Sequence, residues 1–525
     1  MLWSKRAVAS ALRELTQSRI SVLEQLKEIL DNYHAERREQ RYYDLLTGDW
    51  LEQFTHLVYV AMQEVRENVM SEDEPCRIPV SADLAEAKAR FLDSGFHDHL
   101  RLVVAGLMSG RPNRNWCFEK DAIIIESGRR EPLLVKMTRA LSTQTPDLLI
   151  TAPYFKCSKI EWVGALLRWR RWLRWDEVQY QIHLMSPVDV LWRRSQAAAS
   201  SPVTNLVDMM RVLIPLYIPV ALLEGFTAYR QAVLSFPVSR PRAVYSANAL
   251  HNHLAWKLLV AEWRQQGTVL LYHQHGGGYG IEERHIIEEY ESRLADRYYT
   301  LGWRSCLQHV QPLPAIRVSL PLRRRHRVKV LLNCLDMPKT VYRFHFQPMP
   351  GTIETLHRET SAFLTALPDR SALLVRPYFI DYGWGAVEMM RNAAPDAEFD
   401  DHKTGIAIRY AESRLVVHNY LGTGWLETLA LDIPTVCFYD TDTYQFREDA
   451  QPFISSLENV GILHRSGGSA ARFIGDLGED IEKWWRRPEV QDTRRRFVAQ
   501  YANYSSDWQQ QWEKEFRAVL QESVR

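Results

Sequence analysis

Apolar residues recur at helical spacing near the start of the chain, where Leu12, Leu15, Ile20, Leu23, Leu26 and Leu30 are separated by charged positions. That period predicts amphipathic helices over residues 1–75. A polar, proline-containing break covers 71–85. Beyond it the pattern changes. Short apolar runs bounded by turn residues, DLLITAPYF (147–155), VQYQIHLM (178–185), RAVYSAN (242–248) and TVLLYHQ (268–274), read as buried strands with helical stretches between them. The segment PLPAIRVSLPLRRRHR (312–327) combines prolines with a basic cluster and reads as a linker. A second series follows: VKVLLNCL (328–335), SALLVRPY (371–378), SRLVVHNY (413–420) and IPTVCFYD (433–440). Alternation of this kind implies βαβ units and mostly parallel sheets. The predicted fold class is therefore α/β, with two Rossmann-like lobes at 76–311 and 328–475, helices before them, and a helical tail at 476–525.

Charge and composition narrow the picture. A net charge of +1 argues against nucleic acid as a partner, since phosphate neutralisation requires a surplus of Lys and Arg. The six cysteines stand far apart and read as buried reduced thiols. No apolar run reaches the length of a membrane span, and the N-terminus lacks the apolar core of a signal peptide, so a cytoplasmic location is expected. Seventeen tryptophans include those of LLRWRRWLRW (166–175). Arg interleaved with Trp there suggests an exposed helix or a weak peripheral contact with the inner membrane.

Candidate chemistry concentrates at three places. In the first, a strand runs out at Gln274 and is followed by His275, Gly276, Gly277, Gly278, Tyr279 and Gly280, with a helix expected from about Ile281. Glycines at a strand-to-helix turn let backbone N–H groups approach a ligand, and helix N-termini favour anions. His273 and His275 are candidate acids or bases near neutral pH. Glu288 and Glu291 share a helix face; the spacing fits a carboxylate pair or an acceptor-binding role, but taken alone it favours a solvated helix face. In the second, a strand ends at His418, and Gly422, Thr423 and Gly424 form a loop, with Glu427 in the first turns of the next helix. The loop suits a phosphate and the carboxylate suits ribose hydroxyls; Thr423 as N-cap is the purely structural alternative. In the third, Arg376 and Tyr378 lie at a strand end and Asp381 follows in a loop, with the Arg as a phosphate clamp. His251 and His253 are too isolated to predict a metal site, and no metal-dependence motif is present.

Together these segments resemble an uncharacterised bacterial family of transferases from surface-carbohydrate biosynthesis loci. The resemblance rests on Gln274–Gly280, on Glu288 with Glu291, on Asp296 with Tyr299 and Gly302-Trp303, and on Arg376, Tyr378, Asp381 and Trp384. It extends to Thr423, Glu427, Pro434 and Thr435, and to an early piece at 41–59. The late box is also similar to the nucleotide-binding part of GT-B glycosyltransferases and of enzymes that transfer Kdo or glycerol phosphate. The resemblance implies a GT-B-like protein whose two lobes face a cleft. Glu427 would hold the donor ribose, the Gly422–Gly424 loop its phosphate, and His275 would stand opposite. The implied activity is metal-independent transfer from a nucleotide-sugar donor, such as a CMP-activated acidic sugar, to a glycan or lipid-linked acceptor, with no cofactor. A nucleotide-sugar epimerase, a glycerophosphotransferase and a non-catalytic subunit of a polysaccharide assembly complex are the alternatives.

Overall fold

A computed structural model describes residues 3–67, 77–110, 116–128, 133–154, 159–198, 201–315 and 329–522. The chain opens with two long helices, α1 (Lys5–His34) and α2 (Gln40–Glu67). Ser4 caps the first by accepting from the Ala7 N–H at 3.3 Å. The predicted stripe on α1 is buried except for Ile20, which points to solvent at 54% exposure. Helix α2 is buried almost continuously from Tyr42 to Met62, so it runs through the core of the first lobe and is no appendage.

Six parallel strands build the first sheet: β1 (Leu148–Ile150), β2 (Leu173–Trp175), β3 (Ala243–Ser246), β4 (Val269–His273), β5 (Arg297–Thr300) and β6 (Val310–Pro312). Their spatial order is β6-β5-β4-β3-β1-β2. Six more build the second: β7 (Lys329–Asn333), β8 (Leu373–Arg376), β9 (Glu398–Phe399), β10 (Ser413–His418), β11 (Thr435–Phe438) and β12 (Leu463–His464), in the order β9-β8-β7-β10-β11-β12. All its pairings are parallel. The second order is that of doubly wound dinucleotide-binding sheets and the first follows the flavodoxin-type order. Both place ligands at the carboxyl ends of the strands where the winding reverses. Two Rossmann-like lobes facing one another across a cleft make this a GT-B-like fold.

Three expectations are corrected. The run 178–185 does not join the main sheet: Ile182–Pro187 pairs antiparallel with Ala122–Ser127 in a separate two-stranded ribbon. The linker begins later than predicted, because Val310–Pro312 is the sheet's edge strand; most of the proposed 312–327 segment lies outside the described residues. The Arg/Trp segment is an exposed helix only in part: its first residues end the helix Lys159–Trp169, where Leu167 is 40% exposed. Its last residues form β2, and Trp169 is fully buried.

The partners of Trp169 come from the far end of the chain. Two late helices, Pro488–Tyr501 and Trp508–Glu522, pack on different lobes. Phe497 of the former lies 4.8 Å from Trp425 of the second lobe. The latter covers the open face of the first sheet, where Trp508, Trp512 and Phe516 bury against Trp169, Tyr245 and Tyr299. Two of the cysteines, Cys334 and Cys437, are buried as expected, whereas Cys117 and Cys306 are exposed.

Candidate active site

At the carboxyl end of β4, Gln274 fixes the glycine turn. Its side-chain oxygen accepts from Leu301 N at 3.1 Å and Trp303 Nε1 at 2.8 Å, and its nitrogen donates to Gly276 O at 2.9 Å. Gly278 and Gly280 have φ of 89° and 70°, a conformation L side chains rarely adopt. The helix expected from Ile281 begins instead at Ile286, as α3 (Ile286–Leu294), and His285 caps it by accepting from Glu288 N at 3.1 Å. Between turn and helix, residues 281–283 pair with the second lobe, and this contact delays the helix: Glu283 N donates to Gln445 O at 3.0 Å, and Arg447 N to Ile281 O at 2.9 Å.

Glu288 and Glu291 do share a face of α3, and it is buried, not solvated. They serve different ends. Glu288 accepts from Gly280 N at 2.7 Å and from Arg447 at 2.6 Å, which ties the turn to the second lobe. Glu291 instead meets two imidazoles: its Oε1 lies 3.1 Å from His275 Nδ1 and 2.7 Å from His251 Nε2, and its Oε2 accepts from Tyr298 OH at 2.9 Å. Burial raises the Glu291 carboxyl, but the charge of His275 and the hydrogen bonds from His251 and His275 outweigh it and hold it at about 2. Behind His251 stands Asp49 of α2, 3.6 Å from its Nδ1 and paired with Lys88. Burial opposes ionisation of Asp49, yet Lys88 and then His251 hold its carboxyl far below the usual range. The result is a continuous row, Lys88–Asp49–His251–Glu291–His275, leading from the helical region to the glycine turn.

His275 is the member that reaches the cleft. Its Nδ1 faces Glu291 and the Tyr279 hydroxyl (3.2 Å), which leaves Nε2 for a ligand. It lines a cavity of about 330 Å³ together with Tyr154, His273, Gly276 and, from the opposite lobe, Thr423. His273 is different: burial holds its ring at about 3, so it is neutral, and it packs on Trp512. His251, His275 and Glu291 also offer ligand atoms within 4.8 Å of one another, a donor set that zinc accepts; here those atoms are hydrogen-bonded to each other.

The second lobe meets this turn directly. Helix α4 (Thr423–Ala430) has Gly422 as N-cap, with no side-chain cap. The Thr423 hydroxyl, for which capping its own helix was the structural alternative, accepts from Gly277 N of the other lobe at 3.2 Å. A Cβ on Gly277 would come within 2.5 Å of the Gly422 carbonyl, so glycine is required where the loops touch. Gly424 is buried beside His418, whose ring burial holds at about 3 and which bonds Thr428 at 3.2 Å; His418 is therefore a packing residue. Glu427 is 7% exposed, one turn into α4, and does not line the cleft cavity. Arg376 pairs with Asp400 and donates to Thr404 O at 3.1 Å, so its charge is already engaged. Tyr378 and Asp381 line a separate cavity of about 400 Å³, with Asp336, His357 and Asn419, beside the β7–β10 reversal point.

The structure thus brings together His275, Glu291, Gly276 and Thr423 from the predicted set. It places His273 at the edge of the same cavity and Glu288, His418 and Arg376 in structural ties. Sequence reasoning missed Asp49, Lys88 and the role of His251, which was set aside as isolated. The early segment 41–59 contains Asp49, so its place in the resemblance was the available signal.

A two-lobed parallel α/β protein with a His275–Glu291 pair facing a helix N-terminus across a cleft is the class that fold and site define. The chain belongs to the LIC12162 family of transferases, whose profile matches residues 111–516. No curated protein matches it. Among solved structures it is similar to TarM, with a TM-score of 0.37 and 9% identity over 56% of this chain and 58% of that one, so it spans less than two thirds of TarM. It is similar to the wall teichoic acid polymerase TagF, with a TM-score of 0.37 and 9% identity over 75% and 94% of the two chains. The O-GlcNAc transferase of Thermobaculum terrenum gives a TM-score of 0.37 and 13% identity over 98% of both. Similarities this remote assign no residue.

Proposed function

We propose that this chain is a glycosyltransferase in which His275 is the general base. The observation that carries the reading is the His275–Glu291 pair, with Nδ1 held inward and Nε2 left for the cavity that Thr423 lines from the other lobe. A hydroxyl of a glycan or lipid-linked acceptor on the first lobe would give its proton to His275 Nε2. Its oxygen would then bond the anomeric carbon of the donor sugar while the bond from that carbon to the donor phosphate breaks. Glu291 holds the Nδ1–H and stabilises the imidazolium that forms, as the carboxylate of a catalytic triad does. The leaving phosphate gathers charge at the start of α4, where free backbone N–H groups and the helix dipole favour an anion. A nucleotide-activated donor fits this placement, and a CMP-activated acidic sugar is the specific form we infer from the sequence resemblance.

Thermal stability with CMP, UDP, GDP, CDP and dTDP tests the donor site, repeated with Glu427→Ala. A nucleotide at a hundredfold over its Kd adds about 2.7 kcal/mol to stability. A shift for one nucleotide supports the reading, and its loss in Glu427→Ala would bring that residue into the donor site despite its burial. No shift at millimolar concentration for any of the five would overturn nucleotide-dependent transfer and favour a non-catalytic partner.

A further inference from the structure

A further cavity lies away from the cleft, behind α3. It measures about 600 Å³ and is enclosed by α1, α2 and the start of α3. One wall is hydrocarbon, supplied by Leu12, Leu15, Val22, Leu23, Leu51 and Ile286. The other carries three arginines and three carboxylates. Two of the arginines are committed: Arg293 bonds Asp44 at 2.9 Å, and Arg284 bonds Glu289 at 2.6 and 2.8 Å. Arg19 is not. Its nearest carboxylate oxygen, on Asp44, is 3.7 Å away, and no hydrogen bond to its guanidinium is made among the described residues. Glu52 faces the same space without a hydrogen bond or ion pair among the described residues. The Arg19 side chain is 29% exposed, and a ligand carboxylate would replace water on its guanidinium with charge-assisted hydrogen bonds.

We propose that this cavity binds an amphiphilic monocarboxylate, its hydrocarbon body on the leucine wall and its carboxylate on Arg19. The head group follows from what makes no hydrogen bond. A carboxylate matches the guanidinium fork in two parallel hydrogen bonds. A dianion such as a phosphate monoester would meet Glu52, whereas a monocarboxylate can share a proton with it. Burial pushes the Glu52 carboxyl up to about 7, so it carries that proton for much of the time at neutral pH.

The cavity is also joined to the cleft. Glu289 and Arg293 of α3 line it, while Glu288 and Glu291 of the same helix serve the turn and His275. An occupant therefore bears on the helix that holds Glu291. This goes beyond the transferase reading and rests on different residues.

Titration calorimetry of the full chain with decanoate, below its micelle concentration, tests the site without any nucleotide. One saturable site is expected, at least tenfold weaker in Arg19→Gln, with hexanoate weaker than decanoate. Amide exchange across residues 284–294 should slow when decanoate is bound. Absence of saturable binding overturns the proposal. So does equal binding of decyltrimethylammonium, or undiminished binding by a folded Arg19→Gln protein, since either means unspecific adhesion of the chain. Binding that leaves exchange in α3 unchanged overturns the link to the cleft.

Discussion

At the carboxyl edge of the first sheet, five charged or ionisable side chains stand in a row from Lys88 to His275, each touching the next. At the carboxyl edge of the second, the corresponding histidine, His418, is sealed and neutral, and what faces the cleft is a glycine loop and the uncapped start of α4. Both edges are built by parallel strands wound in closely related orders. Topology supplies each lobe with a place for a ligand; side chains decide whether that place moves protons or holds an anion. On the proposed reading, proton chemistry belongs to the first lobe and anion binding to the second.

His275→Gln is the sharpest way to break that division. It should lower the transfer rate by about 10²–10⁴-fold, the usual contribution of a general base, while leaving the nucleotide-dependent rise in melting temperature intact. Loss of nucleotide binding in the same variant would show that the two lobes do not divide the work. Gly277→Ala comes next, because it forces apart the loops through which the lobes touch. A misplacement near 1 Å costs about 10²-fold in rate, so transfer should fall by that order while each lobe stays folded by circular dichroism.

Asp49→Asn probes the far end of the row. Asp49 is the strongest influence raising the His251 pKa against the opposing effect of burial, so that pKa, followed by NMR, should drop in the variant. Transfer should weaken, though less than in His275→Gln; an unchanged His251 pKa would sever the row at that point. The smallest effect concerns Glu282 at the lobe junction, whose two carboxylate oxygens are buried without hydrogen bonds. Burial raises this carboxyl to about 8 from 4.5. The unfolded state therefore ionises first, and this group's contribution to stability is full below pH 4.5 and is lost as pH rises to 8. Denaturant titrations at pH 5 and pH 8 should show a steeper decline for the wild type than for Glu282→Gln.

Much of the fold was legible because buried parallel strands are short apolar runs, and seven of the runs read as strands occupy the two main sheets. The eighth, 178–185, misled for a reason visible in its burial: Ile182–Pro187 alternates buried and exposed positions, the mark of a ribbon with one wet face. The Arg/Trp segment misled because its hydrophobic partner lies more than 330 residues away, as in Trp169 with Trp508. The site was legible where it is local. His275 and its glycines follow one another in sequence, and Glu291 lies one short helix further on. Asp49, Lys88 and His251 come from three distant segments, and no spacing rule connects them. Thr423 was read as part of a phosphate-binding loop; the capping alternative does not hold, since its hydroxyl bonds the other lobe.

The packing of Trp508–Glu522 on the first sheet also sets the order in which the protein can be made. The sixth strand of that sheet ends at Pro312, yet the aromatic cover of its open face ends near residue 522, about 210 residues later. At about 5–20 residues per second, a ribosome needs roughly 10–40 s to cross that distance. For that interval the first lobe exists with Tyr245 and Tyr299 lacking the tryptophans that bury them, while the second lobe is being synthesised beside it. A nascent chain in that state exposes one face of the sheet until Trp508–Glu522 packs on it.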